Sequence, residues 1–142
     1  MVSIDTNILL YSLNRDCAEY APASQFIQDL SQRTDVLICD LVLIELYLLL
    51  RNPSVLRRPL HSRQAAEICS SFRSNPRWRV VESAPIMQKV WQAAMARSFP
   101  RRRIIDARLA YTLLHHGVSD FATRNTRDFS GFGFERVFDP LS

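Results

Sequence analysis

The sequence predicts an α/β fold in which a central, mainly parallel β-sheet is flanked by helices on both faces. Short apolar segments that suit buried strands alternate along the chain with longer segments of helical periodicity. Strands that are connected through helices pair in parallel, and helices then cover both faces of the sheet. The 142 residues, 47% hydrophobic and 23% charged, suit one core, so we expect a single domain over residues 1–142.

The N-terminal third is predicted to form a strand, two helices and a second strand. Residues 1–4 are apolar and stop at Asp5, where a polar triplet suits a helix N-terminus before the helical run 8–13. Residues 21–31 place Ala23, Ile27 and Leu30 at helical spacing, which predicts the second helix. The apolar segment 36–39 predicts a short buried strand.

Two further helices follow, separated by a segment that we expect to be a flexible excursion. Asp40 suits the cap of an apolar helix that extends to Leu50, and Asn52-Pro53 ends it. Residues 62–72 place their apolar side chains on one helical face. Residues 52–60 contain two prolines and paired arginines, which favours an irregular segment.

The second half of the chain is predicted to alternate strands and helices. Residues 78–81 suit a strand, and Pro85 suits the start of a helix that continues to Ala94. Residues 104–116 predict a longer helix that Gly117 closes. Residues 118–123 predict a strand, and residues 136–138 predict a last one.

Composition indicates a cytoplasmic protein that has no membrane partner. The longest apolar run, 40–50, is far below the roughly 20 residues of a membrane span, and the N-terminus lacks the pattern of an export signal. The three cysteines are far apart with apolar neighbours, which predicts core thiols in a reducing compartment. The net charge is +4, and all the strong cations except one lysine are arginines, which is compatible with a nucleic-acid partner. A high genomic GC content that favours arginine codons explains the same excess equally.

Four acidic residues lie at the ends of predicted elements or inside one: Asp5, Glu45, Asp106 and Asp128. Carboxylates in such places are costly to desolvate unless they are paired or bind a cation. The carboxyl ends of parallel strands meet at one edge of a sheet, so these acids are expected to converge there. A set of oxygen ligands selects Mg²⁺, or Mn²⁺, and such ions activate water and stabilise the leaving oxygen of a phosphodiester.

Each acid also has a purely structural explanation. Asp5 suits a helix N-cap, and Glu45 suits the one solvent-exposed edge of an otherwise apolar helix. Asp106 lies in the first turn of its helix, where any acid interacts favourably with the helix dipole. The segment 123–129 contains ordinary turn residues. The functional interpretation therefore depends on the ordered combination of these segments.

This ordered combination resembles the PIN-domain ribonucleases, and within them the VapC-like toxins of bacterial toxin–antitoxin pairs. Residues 2–7 resemble the first motif of the family, 43–46 the second, 105–110 the third and 122–129 the fourth. The resemblance implies a PIN-like fold and a catalytic, metal-binding set of Asp5, Glu45, Asp106 and Asp128. Many relatives have an aspartate where this chain has Asn125, which leaves Asp128 as the fourth acid. The residues expected to support the site are Asn7, Thr123 and Asn125.

The resemblance implies Mg²⁺-dependent endoribonuclease activity in a VapBC-type toxin, with tRNA or rRNA as the substrate, a VapB-like antitoxin as the inhibitor and a homodimer as the assembly. The residues expected to contact RNA phosphates are Arg101, Arg102 and Arg103. Two alternatives stay open. Asn125 motivates a degenerate PIN domain that binds RNA without cleaving it. The second alternative is a Mg²⁺ phosphatase with an aspartate after its first strand, although Asn7 stands where such enzymes use a second aspartate.

Overall fold

The computed structural model describes residues 1–142 and contains five strands and seven helices. The strands are Val2–Ile4 (β1), Leu37–Cys39 (β2), Arg79–Val81 (β3), Asp120–Ala122 (β4) and Arg136–Phe138 (β5). The helices are Thr6–Leu13 (α1), Tyr20–Leu30 (α2), Asp40–Leu50 (α3), Ser62–Arg73 (α4), Met87–Ala94 (α5), Arg103–His115 (α6) and Thr126–Phe129 (α7).

All strand pairs are parallel. One sheet has the order β1-β4-β5, and β2 pairs with β3 in a second sheet. A parallel bridge between Val2 and Val36 joins the two sheets, and the Val2 N–H donates to the Asp35 carbonyl at 2.9 Å. The predicted parallel α/β fold is confirmed, although short strands divide the expected central sheet into two sheets that share one bridge.

Helices cover both faces of the central strands. Successive side chains of a strand point to opposite faces, and all three residues of β1 and of β2 are buried. The core is one cluster of 27 buried residues that includes Ile4, Ile38, Leu46, Leu113 and Phe121. Full burial of an apolar side chain of this kind contributes roughly 1.5–3 kcal/mol to the free energy of folding. Burial of apolar side chains from both strands and helices in one core therefore stabilises this arrangement.

The predicted elements are confirmed with shifts of at most two residues at their ends, and one element was missed. The short helix α7 follows β4, and four residues give too little periodicity for sequence reasoning to detect. Residues 52–60 form turns, where Leu56 is buried and the Leu60 N–H donates to the Leu50 carbonyl at 2.8 Å. Gly117 follows α6 with φ +89°, the left-handed conformation that favours glycine after a helix.

The cysteines are less uniform than predicted. Cys39 is buried in the core, whereas Cys17 and Cys69 are half-buried, and all three are free thiols. Burial raises the pKa of each thiol above its ordinary value, which keeps it protonated and weakly reactive. None of the helices combines the length and the apolar character that crossing a membrane requires.

Candidate active site

A cleft of about 690 Å³ opens beside the residues that follow β1 and β4. Ile4 is paired with Ala122 across these parallel strands, so the residues after both strands meet at the same edge. Helices α3 and α6 supply further walls of the cleft. The polar side chains that line it include Asp5, Thr6, Asn7, Glu45, Asp106 and Asn125.

Asp5 is the most buried acid of the cleft, with 6% of its surface exposed. Its Oδ1 accepts from the Thr6 N–H at 2.8 Å, so Asp5 is the N-cap of α1, as the structural explanation required. Its Oδ2 accepts from the Thr123 hydroxyl at 2.6 Å. The Thr123 hydroxyl oxygen in turn accepts from the Asn125 N–H at 3.0 Å, which links the segment after β4 to the acid after β1.

Burial raises the pKa of Asp5 to about 6, against the lowering effect of the hydrogen bonds from Thr123 and Thr6. The negative charges of Glu45 and Asp106 raise this pKa further. An ionised Asp5 is therefore costly in the metal-free protein, because desolvation and two like charges all disfavour its negative form.

Glu45 lies on an exposed edge of α3, which agrees with the structural explanation given for it. It nevertheless lines the cleft, and its Oε2 accepts from the Thr6 hydroxyl at 3.0 Å. Thr6 is almost fully buried and contacts both acids, because its N–H donates to Asp5. Sequence reasoning treated Thr6 only as part of a polar triplet, and nothing in the local pattern indicated its contact with α3.

Asp106 is half-buried in the first turn of α6 and lines the cleft. Burial raises the pKa of Asp106, the charges of Asp128 and Glu45 raise it further, and the charge of Arg103 opposes them. Asp128 is exposed on α7 and does not line the cleft. The structure therefore brings Asp5, Glu45 and Asp106 to one cleft and leaves Asp128 beside it.

The two asparagines predicted to support the site both line the cleft. The Asn7 Oδ1 accepts from the Arg124 N–H at 3.4 Å, a long contact between the start of α1 and the segment after β4. Asn125 is exposed and is the N-cap of α7.

The acids of the cleft have no cationic partner. The five ion pairs of the structure all involve other acids, so no arginine or lysine nitrogen lies within 4.0 Å of the carboxylates of Asp5, Glu45, Asp106 or Asp128. Several uncompensated carboxylates in one partly desolvated cleft fit the chemistry of a hard divalent cation. No three acidic, histidine or cysteine side chains are arranged here to hold a metal ion, so the carboxylates would have to draw together around it.

The three arginines before Asp106 differ in their surroundings. Arg101 and Arg102 are exposed in the turn that precedes α6. The guanidinium of Arg103 donates to the carbonyls of Asp128 at 2.8 Å and Ser130 at 3.0 Å. Sequence reasoning grouped the three by composition alone, since a run of like residues does not indicate which side chain finds an intramolecular partner.

The cleft also has an apolar wall that sequence reasoning did not identify. Its most exposed side chains are Ile44 at 59%, Leu48 at 61%, Trp91 at 54% and Ile105 at 70%. The available signal was that α3 is apolar on nearly every face, which is unusual for a helix at the surface of a globular domain. An exposed apolar surface of this kind marks an interaction site.

Comparison with known proteins identifies the family. The PIN domain model matches residues 2–135. Ribonuclease VapC24 from two strains of Mycobacterium tuberculosis, CDC 1551 / Oshkosh and ATCC 25618 / H37Rv, is 56% identical over 142 residues, which is 100% of this chain and 98% of the relative.

Solved structures share the fold at low sequence identity. The VapC20 toxin of Mycobacterium tuberculosis, a sarcin–ricin loop cleaving toxin, matches with a TM-score of 0.69 at 20% identity over 94% of this chain and 96% of VapC20. A chain of FitAB bound to an IR36 DNA fragment matches with a TM-score of 0.64 at 18% identity, over 100% of this chain and 96% of that chain. A chain of a toxin–antitoxin complex from Klebsiella pneumoniae matches with a TM-score of 0.60 at 17% identity, over 99% and 98% respectively. From the family model and the full-length identity together, it follows that this chain belongs to the PIN domain family.

Proposed function

We propose that this protein is a divalent-metal-dependent endoribonuclease and the toxin of a VapBC-type toxin–antitoxin pair, formed by a single PIN domain over residues 1–142. The observation that carries the proposal is the convergence of Asp5, Glu45 and Asp106 on one cleft without a cationic partner. The name of the relative that is 56% identical, Ribonuclease VapC24, supports the same activity. The proposed setting is the cytoplasm, where tRNA and rRNA are available as substrates.

The residues that would hold Mg²⁺, or Mn²⁺, are Asp5, Glu45 and Asp106, with Asp128 acting from its exposed position beside Asp106. When bound, such an ion supplies an activated water and stabilises the charge that develops on the phosphodiester oxygens. Asp5 is held in place by Thr6 and Thr123, so its carboxylate is oriented before any ligand binds. Glu45 is restrained by the hydroxyl of Thr6, whereas Asp5 accepts from the backbone N–H of the same residue.

Positioning of the RNA backbone is assigned to the exposed arginines beside the cleft. Arg108 lines the cleft two residues after Asp106, and Arg101 and Arg102 precede the same helix. Guanidinium groups bind phosphate oxygens bidentately, which offsets the repulsion between the acids and an approaching phosphate. The cleft thus combines the negative charge of its acids with cations close to it in the chain.

The test is cleavage of total RNA by the purified protein with Mg²⁺ or Mn²⁺, with EDTA, and with the Asp5→Asn and Asp106→Asn variants. Asp29→Asn is the matched control, because Asp29 is an exposed acid outside the cleft. We expect discrete cuts that disappear in EDTA and in both cleft variants and persist in the control. Uncut RNA that wild type and variants bind equally well would favour the degenerate PIN domain, for which Asn125 in the cleft is the specific observation.

The apolar wall supports a VapB-like antitoxin as the partner. Ile44 and Leu48 on α3, and Met87 and Trp91 on α5, are each spaced by one helical turn, which leaves two exposed apolar rows along one cleft. Such rows fit the apolar face of an amphipathic helix, and the acids of the cleft fit a basic side chain of the same peptide. Structures similar in fold include a toxin–antitoxin complex, which agrees with this assignment.

Copurification with a VapB-like protein tests the partner, and a reading frame for a small protein beside this gene would supply the candidate. We expect Leu48→Lys to abolish the complex and Val55→Lys to leave it intact, because Val55 is exposed outside the cleft. Light scattering of the protein alone tests the homodimer. If Leu48→Lys leaves the antitoxin complex intact and disrupts the homodimer, the apolar wall binds a second copy of this chain.

A further inference from the structure

Arg103 connects the start of α6 to the end of α7. Its Nη1 donates to the Asp128 carbonyl at 2.8 Å and its Nη2 to the Ser130 carbonyl at 3.0 Å. The same guanidinium lies over the Phe132 ring, with its central carbon 4.3 Å from the ring centroid. Both terminal nitrogens of the side chain are therefore occupied by the backbone around α7, and one face of the guanidinium is covered.

The element that Arg103 contacts has little stability of its own. A helix of four residues closes too few hydrogen bonds to offset the cost of its nucleation. Gly131 and Gly133 follow it with φ values of +87° and +120°, so the chain turns away directly after the helix. The fixed position of α7 must then come from packing of Phe129 and from the two hydrogen bonds of Arg103.

The position of α7 matters for the cleft because its ends bear polar residues of the site. Asn125 caps α7 and lines the cleft, and Asp128 lies close enough to Asp106 for their charges to interact. Arg103 stands three residues before Asp106, one turn back on α6. Arg103 thus links the helix that bears Asp106 to the helix that bears Asp128.

We infer that Arg103 is a positioning residue that holds α7 against α6 and so fixes Asn125 and Asp128 beside Asp106, and that it is not a phosphate contact like Arg101 and Arg102. The inference rests on the proposed function for its effect on catalysis and on geometry alone for its effect on α7. It replaces the assignment of Arg103 that the sequence suggested.

The experiment compares Arg103→Lys and Arg103→Ala with Arg101→Ala and Arg102→Ala. Lysine keeps the charge but has no planar fork, so it cannot donate to both carbonyls in the same geometry. Hydrogen exchange reports on α7 directly through the Asp128 and Ser130 amides, which donate to Asn125 and Thr126. We expect both Arg103 variants to lower the protection of these amides by roughly tenfold or more and the other two variants to leave it unchanged.

Kinetics and binding separate positioning from contact. For Arg103→Lys we expect kcat to fall roughly tenfold with KM nearly unchanged. For Arg101→Ala and Arg102→Ala we expect weaker RNA binding, with the slope of log affinity against log salt reduced by about 1 each. Arg136→Lys is the control for loss of an arginine stacked on a ring, since the Arg136 guanidinium lies 3.9 Å from the centroid of the Phe138 ring and its acidic partner is Asp120 on β4. It should leave kcat unchanged.

Two results would overturn the inference. One is unchanged protection of the α7 amides in Arg103→Lys, and the other is a reduced salt slope in Arg103→Ala like that of Arg101→Ala. If the wild type cleaves no RNA, the proposed function fails, whereas hydrogen exchange and the salt slope still decide the role of Arg103. If Arg103→Ala unfolds and Arg103→Lys does not, the results for Arg103→Lys decide the role of Arg103.

Discussion

Replacing Asp5 by asparagine should stabilise the metal-free protein while abolishing cleavage. Asparagine caps a helix as well as aspartate does, so its Oδ1 can still accept from the Thr6 N–H. Its amide group would face the Thr123 hydroxyl oxygen, which retains acceptor capacity for it. The substitution therefore removes a buried negative charge, keeps the bond from the Thr6 N–H and reverses the direction of the bond with Thr123.

The magnitude follows from the pKa of Asp5, which burial raises from 3.8 to about 6. One pKa unit corresponds to about 1.4 kcal/mol, so ionised Asp5 costs the folded protein roughly 3 kcal/mol above pH 7. The lost attraction between the charge and the dipole of α1 subtracts about 0.3–1 kcal/mol. We expect Asp5→Asn to gain roughly 2 kcal/mol in the free energy of unfolding at pH 7.5.

The pH dependence has a definite sign. Because the pKa of Asp5 is higher in the folded state than in the unfolded state, the folded state binds the proton more tightly. The penalty is complete above pH 6 and disappears as the pH falls through 6 towards 3.8. At pH 4 the advantage of the variant should shrink to less than about 1 kcal/mol.

Urea unfolding in EDTA at pH 7.5 and pH 4, followed by tryptophan fluorescence, measures both values. Asp29→Asn is again the control and should change the free energy of unfolding by less than about 0.5 kcal/mol. Added Mg²⁺ should stabilise the wild type and leave Asp5→Asn unchanged. The reasoning fails if Asp5→Asn is less stable than wild type at pH 7.5 in EDTA, or if its advantage is the same at both pH values.

Three further predictions concern single residues. Thr6→Val should lower kcat several-fold, since Glu45 loses its hydroxyl donor. The control is Thr112→Val, which is equally buried but bonded only within α6, and which should cost about 1 kcal/mol of stability and leave kcat unchanged. Equal activity of the two variants would contradict the role of Thr6. In thermal unfolding, Leu46→Ala should destabilise the protein by about 2–5 kcal/mol and Leu48→Ala by less than about 1 kcal/mol, because Leu46 is buried and Leu48 is 61% exposed. Similar losses in the two variants would contradict the assignment of Leu46 to the buried face of α3 and Leu48 to its exposed face. Gly133→Ala should lower the free energy of unfolding by about 1–3 kcal/mol, because Gly133 has a φ of +120° that alanine adopts only with strain. An unchanged free energy in urea unfolding would contradict this backbone conformation.

The fold was predictable from the sequence because apolar periodicity is a local signal. The run Asp40–Leu50 and the apolar segments at β1 and β2 show it without any knowledge of their neighbours. Helix α7 was not predictable, since four residues held in place by a distant arginine leave no periodic trace. The break between the two sheets was equally invisible, because the pairing of such short strands depends on tertiary packing.

The candidate site was predictable as a set of acids and unpredictable in its contacts. Asp5, Glu45 and Asp106 were identified because charge is unusual beside apolar elements, and they do share a cleft. That Glu45 is exposed and is bonded to Thr6 depends on the rotation of α3 relative to α1. Asp128 was included by order along the chain, whereas its exposure depends on where α7 packs.

The pairing of β1 with β4 bears on when this protein becomes active during synthesis. Asp5 receives its hydroxyl partner from Thr123, 118 positions later in the chain. At translation rates of about 5–20 residues per second, that interval lasts roughly 6–24 s. The first acid of the cleft is thus among the earliest residues made, yet the cleft is completed only after nearly the whole chain has been synthesised. A nascent chain on its own ribosome, still lacking the segment after β4, has no assembled centre with which to attack the RNA that surrounds it.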